Sequence, residues 1–349
     1  MVAGRYYGCE PPVREVVARH RLRAPALVES PRRPAIRPRN AGAVMQHHDL
    51  KIADSEGLGE SARLRFPAGL REDGMQAIRD LTLETFLPMS RMDALASSSR
   101  ATYLEAKPFP HVVFDDFFDP GLLDLVLAEF PKPGDIPWQR FDTGQEIKLA
   151  SSREASFGPA TRLLLYHLNS MTFLEFLSRI TGIDHLIPDP GFEGGGLHQI
   201  IRGGKLGVHA DFNKHREFGL DRRLNLLLYL NKDWREEYGG HLQLWNRDMS
   251  RCEAKVLPLF NRVMIFGTTD YTYHGHPDPL QCPDDMTRKS LALYYFSNGR
   301  PAEEITGEHT TIFRARDEKD LRPTIAQRTR DLAQDWLPPI LLRQFRRIF

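Results

Sequence analysis

Between residues 197 and 296 the chain runs through seven short apolar stretches, each ended by a turn: 197–201, 206–212, 224–230, 241–245, 254–257, 262–266 and 288–296. Runs this short, bounded by Gly, Pro, Asn and Asp, suit strands and leave no room for helices of ordinary length. Seven of them in about a hundred residues point to a mainly β fold with flanking helices: a double-stranded β-helix, that is, a cupin-like jelly roll. Any site would then sit at the mouth of the barrel.

The second run carries Val208-His209-Ala210-Asp211-Phe212. Side chains two apart on a strand share a face, so His209 and Asp211 can offer an imidazole nitrogen and a carboxylate oxygen to one ion. A lone His-x-Asp is usually a solvated surface triplet, so a third ligand has to be found. Tyr273-His274-Gly275-His276-Pro277 supplies two candidates, and His274 and His276 are themselves two apart. Two imidazoles and one carboxylate on one side of an ion leave the other side open, the arrangement of a non-haem Fe(II) that admits a co-substrate and dioxygen. Beyond the distal histidines, Arg288-Lys289-Ser290 opens the last apolar strand. A guanidinium fork with a hydroxyl two residues on makes a clamp for a carboxylate.

His-x-Asp, a distal His, Arg-x-Ser, and the stretch from Arg223 through Tyr229-Leu230-Asn231 and Trp234 to Gly239-Gly240-His241-Leu242 follow one another over residues 197–300. In this order they resemble the Fe(II)/2-oxoglutarate-dependent oxygenases, in the prolyl 4-hydroxylase-like branch. The resemblance implies metal ligands His209, Asp211 and His274, the last aligning better than His276, which is left to line the pocket. It implies that 2-oxoglutarate is held by Arg288, Ser290 and the Tyr229 hydroxyl, with O2 as second co-substrate and ascorbate as a reductant. Asp211 favours hydroxylation, since the related halogenases leave that position to a small residue. The family often has a tyrosine near position 200. Here Ile200 stands there, which shifts the expected polar contact to Gln199 or Asn225. The implied reaction turns 2-oxoglutarate into succinate and CO2 while hydroxylating an aliphatic C–H, either of a prolyl residue in a protein or of a small metabolite or glycan. A zinc hydrolase or a non-catalytic jelly-roll binding module would keep the ligands, but neither has a use for Arg288-x-Ser290.

Charge excludes little beyond nucleic acid and anionic membranes: 47 Lys and Arg stand against 46 Asp and Glu, so no global field draws in a polyanion. Three cysteines without a CxxC pair argue against a disulfide scaffold and fit a cytoplasmic protein. No run is long and apolar enough to span a membrane.

The first 44 residues, with nine arginines, three glutamates and scattered prolines, are expected to be disordered, as is most of the extension through residue 90, apart from a helical candidate at 74–87. The oxygenase domain is expected over 100–315. Its opening strand lies near 108–118, and Asp119-Pro120 then starts a helix. A single amphipathic helix is expected over 159–181, closed by Gly182. The Gly191–Gly196 turn lacks the pattern of a phosphate loop. His198, His215 and His241 are candidates for the pocket, though a surface or packing role is the first reading for each. The last segment, 316–349, reads as a helical tail whose basic, apolar end lies on the core.

Overall fold

The seven apolar runs all fold as strands, and what they enclose is set by how they pair. The structure, a computed structural model, describes residues 72–317 and Asp320, all within the unit Glu60–Phe349. The expectations for residues 1–71 and for the tail beyond 320 fall outside the described residues.

Among the described residues three helices precede the first strand: α1 (Glu72–Arg79) and α2 (Leu83–Phe86), which share the helical candidate expected over 74–87, and α3 (Met89–Glu105), which the sequence reading did not mark. Met92, Ala96, Ser99 and Tyr103 of α3 are buried at i, i+4, i+7 and i+11, one narrow stripe. The stripe escapes a periodicity search because two of its members are small or polar. The helix α4 (Pro120–Ala128) starts as expected, with Leu122 N–H donating to Asp119 Oδ1 at 2.9 Å. The stretch 159–181 is two helices rather than one, α5 (Pro159–Leu168) and α6 (Met171–Thr181). Ser170 divides them: its hydroxyl accepts from Phe173 N–H at 3.4 Å and donates to the His167 carbonyl at 2.6 Å, so it caps the second helix instead of continuing the first.

Among the described residues thirteen strands make one continuous sheet: β1 (His111–Phe114), β2 (Gln139–Asp142), β3 (Glu146–Ser151), β4 (Ile187–Pro188), β5 (Gly196–Ile200), β6 (Lys205–Ala210), β7 (Asp221–Tyr229), β8 (Leu242–Trp245), β9 (Cys252–Val256), β10 (Arg262–Gly267), β11 (His274–His276), β12 (Arg288–Ser297) and β13 (Ile312–Phe313). Their order is β1-β10-β7-β12-β5-β3-β6-β11-β8-β9, with β2 on β3, β4 on β12 and β13 on β6. The sheet folds over at β3. Tyr229 and Phe266 of the first arm meet Leu242, Leu244 and Val256 of the second in one apolar cluster, as the two walls of a jelly roll should.

Strand β7 shows why the strands read as almost unbroken apolar runs. Leu224, Leu226 and Leu228 point outward into the helical layer with Phe173, Leu177 and Val263, while Asn225, Leu227 and Tyr229 point into the barrel. Both faces are buried, so polar alternation is lost except at Asn225. Each of the three outward leucines contributes about 1.5–3 kcal/mol relative to exposure. Among the described residues no helix is long and apolar enough to cross a membrane.

Candidate metal centre and co-substrate cavity

Register brings the histidines together. In the β6–β11 pair, His274 stands directly opposite His209, whereas His276 falls opposite Leu206 after an irregularity. Directly opposed residues of an antiparallel pair bring their side chains into contact, and the two rings lie 4.5 Å apart between centroids. Asp211, just past the end of β6, completes the group: Oδ1 is 3.4 Å from His209 Nε2 and Oδ2 is 3.4 Å from His274 Nε2. Close approach of the strands requires glycine. A Cβ on Gly275 would lie 2.6 Å from the Gly207 carbonyl oxygen and 2.8 Å from that of Leu206.

The donor set suits a divalent ion. His209 Nδ1 lies 2.9 Å from the Gly207 carbonyl and His274 Nδ1 lies 2.9 Å from the Thr272 carbonyl. A carbonyl only accepts, so both protons sit on Nδ1 and both Nε2 lone pairs face Asp211. Burial pushes His274 down to about 4, which keeps it neutral at physiological pH. Burial works against ionised Asp211 as well, but the Arg222 guanidinium beside it outweighs burial and holds the carboxyl well below its usual range. His209, Asp211 and His274 are the one group of this kind among the described residues, and their donor atoms all lie within 4.8 Å of one another. Two imidazoles and a carboxylate are a donor set suited to Fe(II).

Asp211 is fixed by two residues that the sequence did not single out as a pair. Asn225 donates from Nδ2 to Asp211 Oδ2 at 2.7 Å and accepts at Oδ1 from Arg222 Nε (3.0 Å) and Nη2 (2.8 Å). Arg222 Nη2 also lies 3.1 Å from Asp211 Oδ2. Asn225 was expected to reach the co-substrate, but its amide is committed to this network.

The triad opens into a cavity of roughly 450 Å³ lined by both walls of the barrel. At one end lies Arg288, only 4 % exposed. Its Nε donates to the Gly240 carbonyl at 2.9 Å, burial lowers its pKa, and no carboxylate among the described residues pairs with it. A desolvated guanidinium without an anion calls for one from a ligand. Ser290 lines the same wall two residues along β12. The Tyr229 ring lies 4.9 Å from the Arg288 guanidinium carbon, and its buried hydroxyl interacts with that guanidinium. His276 is 2 % exposed, lines the cavity, and leaves both ring nitrogens without partners.

Gln199 must be corrected. Its amide donates to Thr287 Oγ1 at 3.1 Å and to the Pro131 carbonyl at 3.4 Å, away from the cavity. The inward residues of β5 are its neighbours His198 and Ile200. His198, read as a surface or packing residue, is therefore a cavity residue, and burial pushes its pKa down to about 3. Lys148 of β3 also lines the cavity. Neither carries a motif that would have marked it in the sequence. His215 and His241 do stay outside the lining, in contact with Glu193 and Glu236. The glycine turn packs on the site rather than on a phosphate: a Cβ on Gly194, where φ is +71°, would meet the Phe212 and Tyr294 rings at 3.2 and 3.4 Å.

Residues 195–296 match the family model of the 2OG-Fe(II) oxygenase superfamily. Among solved structures, a prolyl hydroxylase from Trichoplax adhaerens, in complex with a hypoxia inducible factor oxygen degradation domain peptide fragment, is 16 % identical, with a TM-score of 0.44 over 60 % of this chain and 92 % of that one. A Pseudomonas putida prolyl-4-hydroxylase is 16 % identical, with a TM-score of 0.42 over 59 % and 100 %. HygX from Streptomyces hygroscopicus, with nickel, 2-oxoglutarate and hygromycin B bound, is 11 % identical, with a TM-score of 0.41 over 63 % and 98 %. The comparison with curated proteins found no match. The matched segment, similar to the 2OG-Fe(II) oxygenase superfamily, carries the triad, Arg288 and the strands between them.

Proposed function

We propose that His209, Asp211 and His274 hold a ferrous ion, that Arg288 and Ser290 bind the distal carboxylate of 2-oxoglutarate, and that the enzyme hydroxylates an aliphatic C–H of a prolyl residue in a protein. When bound, the iron and co-substrate supply dioxygen activation coupled to decarboxylation of 2-oxoglutarate to succinate and CO2. The chain's own part is orientation and exclusion of water. The Gly207 and Thr272 carbonyls aim the two Nε2 lone pairs, and Arg222 with Asn225 keeps the Asp211 carboxylate turned toward them. Leu227, Leu242 and Phe266 line the cavity with apolar surface, which strengthens every charge contact inside it.

The observation that carries this reading is buried Arg288, which has no carboxylate partner among the described residues and lies in the same cavity as the triad. A metal site that served structure or hydrolysis would leave it unexplained. A second substrate reading, a small metabolite, is favoured by the size of the cavity, which falls in the range that takes small ligands whole. A cytoplasmic setting belongs to the proposal and is supported by the absence of any CxxC pair.

The test is anaerobic addition of Fe(II) and 2-oxoglutarate to the wild type and to Arg288→Ala. A weak visible charge-transfer band, formed by the wild type and lost or much weakened in the variant, is the expected result. Its absence from well-reduced wild type refutes the assignment of metal and co-substrate.

A further inference from the structure

One buried cation in the cavity is only half used. Arg222 on β7 is 1 % exposed. Its guanidinium carbon lies 3.5 Å from the Tyr294 ring centroid and 4.3 Å from that of Phe212, and the two rings meet edge to face with centroids 6.2 Å apart. Nε and Nη2 serve Asn225 and Asp211, while Nη1 is buried and has no hydrogen-bond partner among the described residues.

The hydrogens of a guanidinium lie in its plane. With the Nε edge on Asn225, the donors left are those on Nη1. One of them runs parallel to the Nη2–H that meets Asp211. An oxygen accepted there would sit beside the Asp211 carboxylate, at the edge of the triad. The bonds to Asn225 and Asp211 and the two neighbouring rings hold the guanidinium in place, so an acceptor meets a prearranged group.

Charge points the same way. The lining contains Lys148, Arg216, Arg222 and Arg288 against Glu146, Glu193 and Asp211. A divalent ion adds positive charge and a 2-oxoglutarate dianion cancels it, so the loaded cavity keeps a cationic excess. Such a site repels an amine and attracts an acid.

We propose that Arg222 is the substrate-recognition residue and that it takes a carboxylate carried by the substrate close to the C–H that reacts. The inference rests on the function proposed above and narrows it: the substrate is a free organic acid or a segment with an acidic residue beside the hydroxylation point, and the two share the same oxyanion chemistry.

The experiment compares acid and amide partners on the anaerobic Fe(II)·2-oxoglutarate protein. N-acetyl-L-proline and N-acetyl-L-leucine are titrated against their amides, and acetylated Glu-Pro peptides against Gln-Pro peptides. Perturbation of the visible band reads binding, and succinate release on admitting air reads turnover. In the wild type the acid member of at least one pair should bind about tenfold or more tightly than its amide, as a charge-assisted contact implies. The free pairs and the peptide pairs separate the two sources. Arg222→Lys should shrink the preference and Arg222→Met should remove it, each measured at Fe(II) and 2-oxoglutarate concentrations raised until the band is saturated, because both variants also lose the Arg222 support of Asp211. If a variant fails to fold, the wild-type comparison still tests the proposal: no acid preference overturns it.

If the wild type forms no band, the function and this inference fall together. If the band forms and acids bind no better than amides, or nothing binds, this inference alone falls. If acids are preferred but the preference survives in both variants, another group reads the acid and the proposal is overturned.

Discussion

Replacing Asn225 with alanine tests whether the pair behind Asp211 holds the metal site in shape. The side chain is buried and makes three hydrogen bonds, each to a charged group: one donated to Asp211 at 2.7 Å and two accepted from Arg222 at 3.0 and 2.8 Å. Hydrogen bonds to charged groups are each worth about 1.5–3 kcal/mol. They do not add, because Arg222 keeps its 3.1 Å contact with Asp211 when Asn225 is gone. What is lost is a hydrogen-bonding anchor of a buried cation that keeps its ion pair, an event that costs about 1–3 kcal/mol. Asp211 is then free to rotate, and loss of such a supporting contact weakens metal binding by about 10–100-fold. Urea unfolding of the metal-free protein reads the first quantity, and Mn(II) titration reads the second. Asn225→Asp makes the sharper contrast: it keeps the shape and the acceptor for Arg222 but replaces the donor to Asp211 by a like charge, so it should fold better than the alanine variant and bind metal no better. Metal affinity within about twofold of wild type in both variants, a difference too small to reflect a lost supporting contact, would refute the argument that Asn225 positions Asp211.

Gly275→Ala should separate β6 from β11, since its Cβ would overlap two carbonyl oxygens of the facing strand; overpacking of this kind costs about 1–3 kcal/mol, and thermal unfolding together with metal titration should show both losses. His276→Leu should raise the stability of the metal-free protein, because two buried ring nitrogens without partners are replaced by apolar surface, while weakening 2-oxoglutarate binding; a stability loss in urea would count against it. The metal-free protein should also lose stability in acid. His274 is held at about 4 against its usual 6.5, so the folded state binds fewer protons between these values. Its contribution is complete above pH 6.5 and is lost as pH falls toward about 4, to a total of about 3 kcal/mol. Asp211, held well below the usual carboxylate range, stays ionised throughout that window. Urea midpoints measured across it, in wild type and in His274→Gln, separate this residue's share.

The parts of the site legible in the sequence were those set by local spacing. Period two on a strand puts His209 and Asp211 on one face whatever surrounds them, and the seven apolar runs between 197 and 296 became strands because turns end each of them and both faces are buried. Arg288 and Ser290 share a face for the same reason. Spacing alone left His274 and His276 equivalent, and the tertiary structure separated them: the register of β11 on β6 sets His274 against His209 and carries His276 past it. Gln199 and His198 are adjacent, so one must face inward and the other outward, and the pairing of β5 with β12 and β3 decided for His198. Arg222, Asn225 and Lys148 meet the triad only once the sheet has folded over on itself. Alternation along a strand determines which residues share a face. Which face looks inward, and what stands across from it, depends on pairings between strands distant in the chain, and those pairings leave no spacing in the sequence to read.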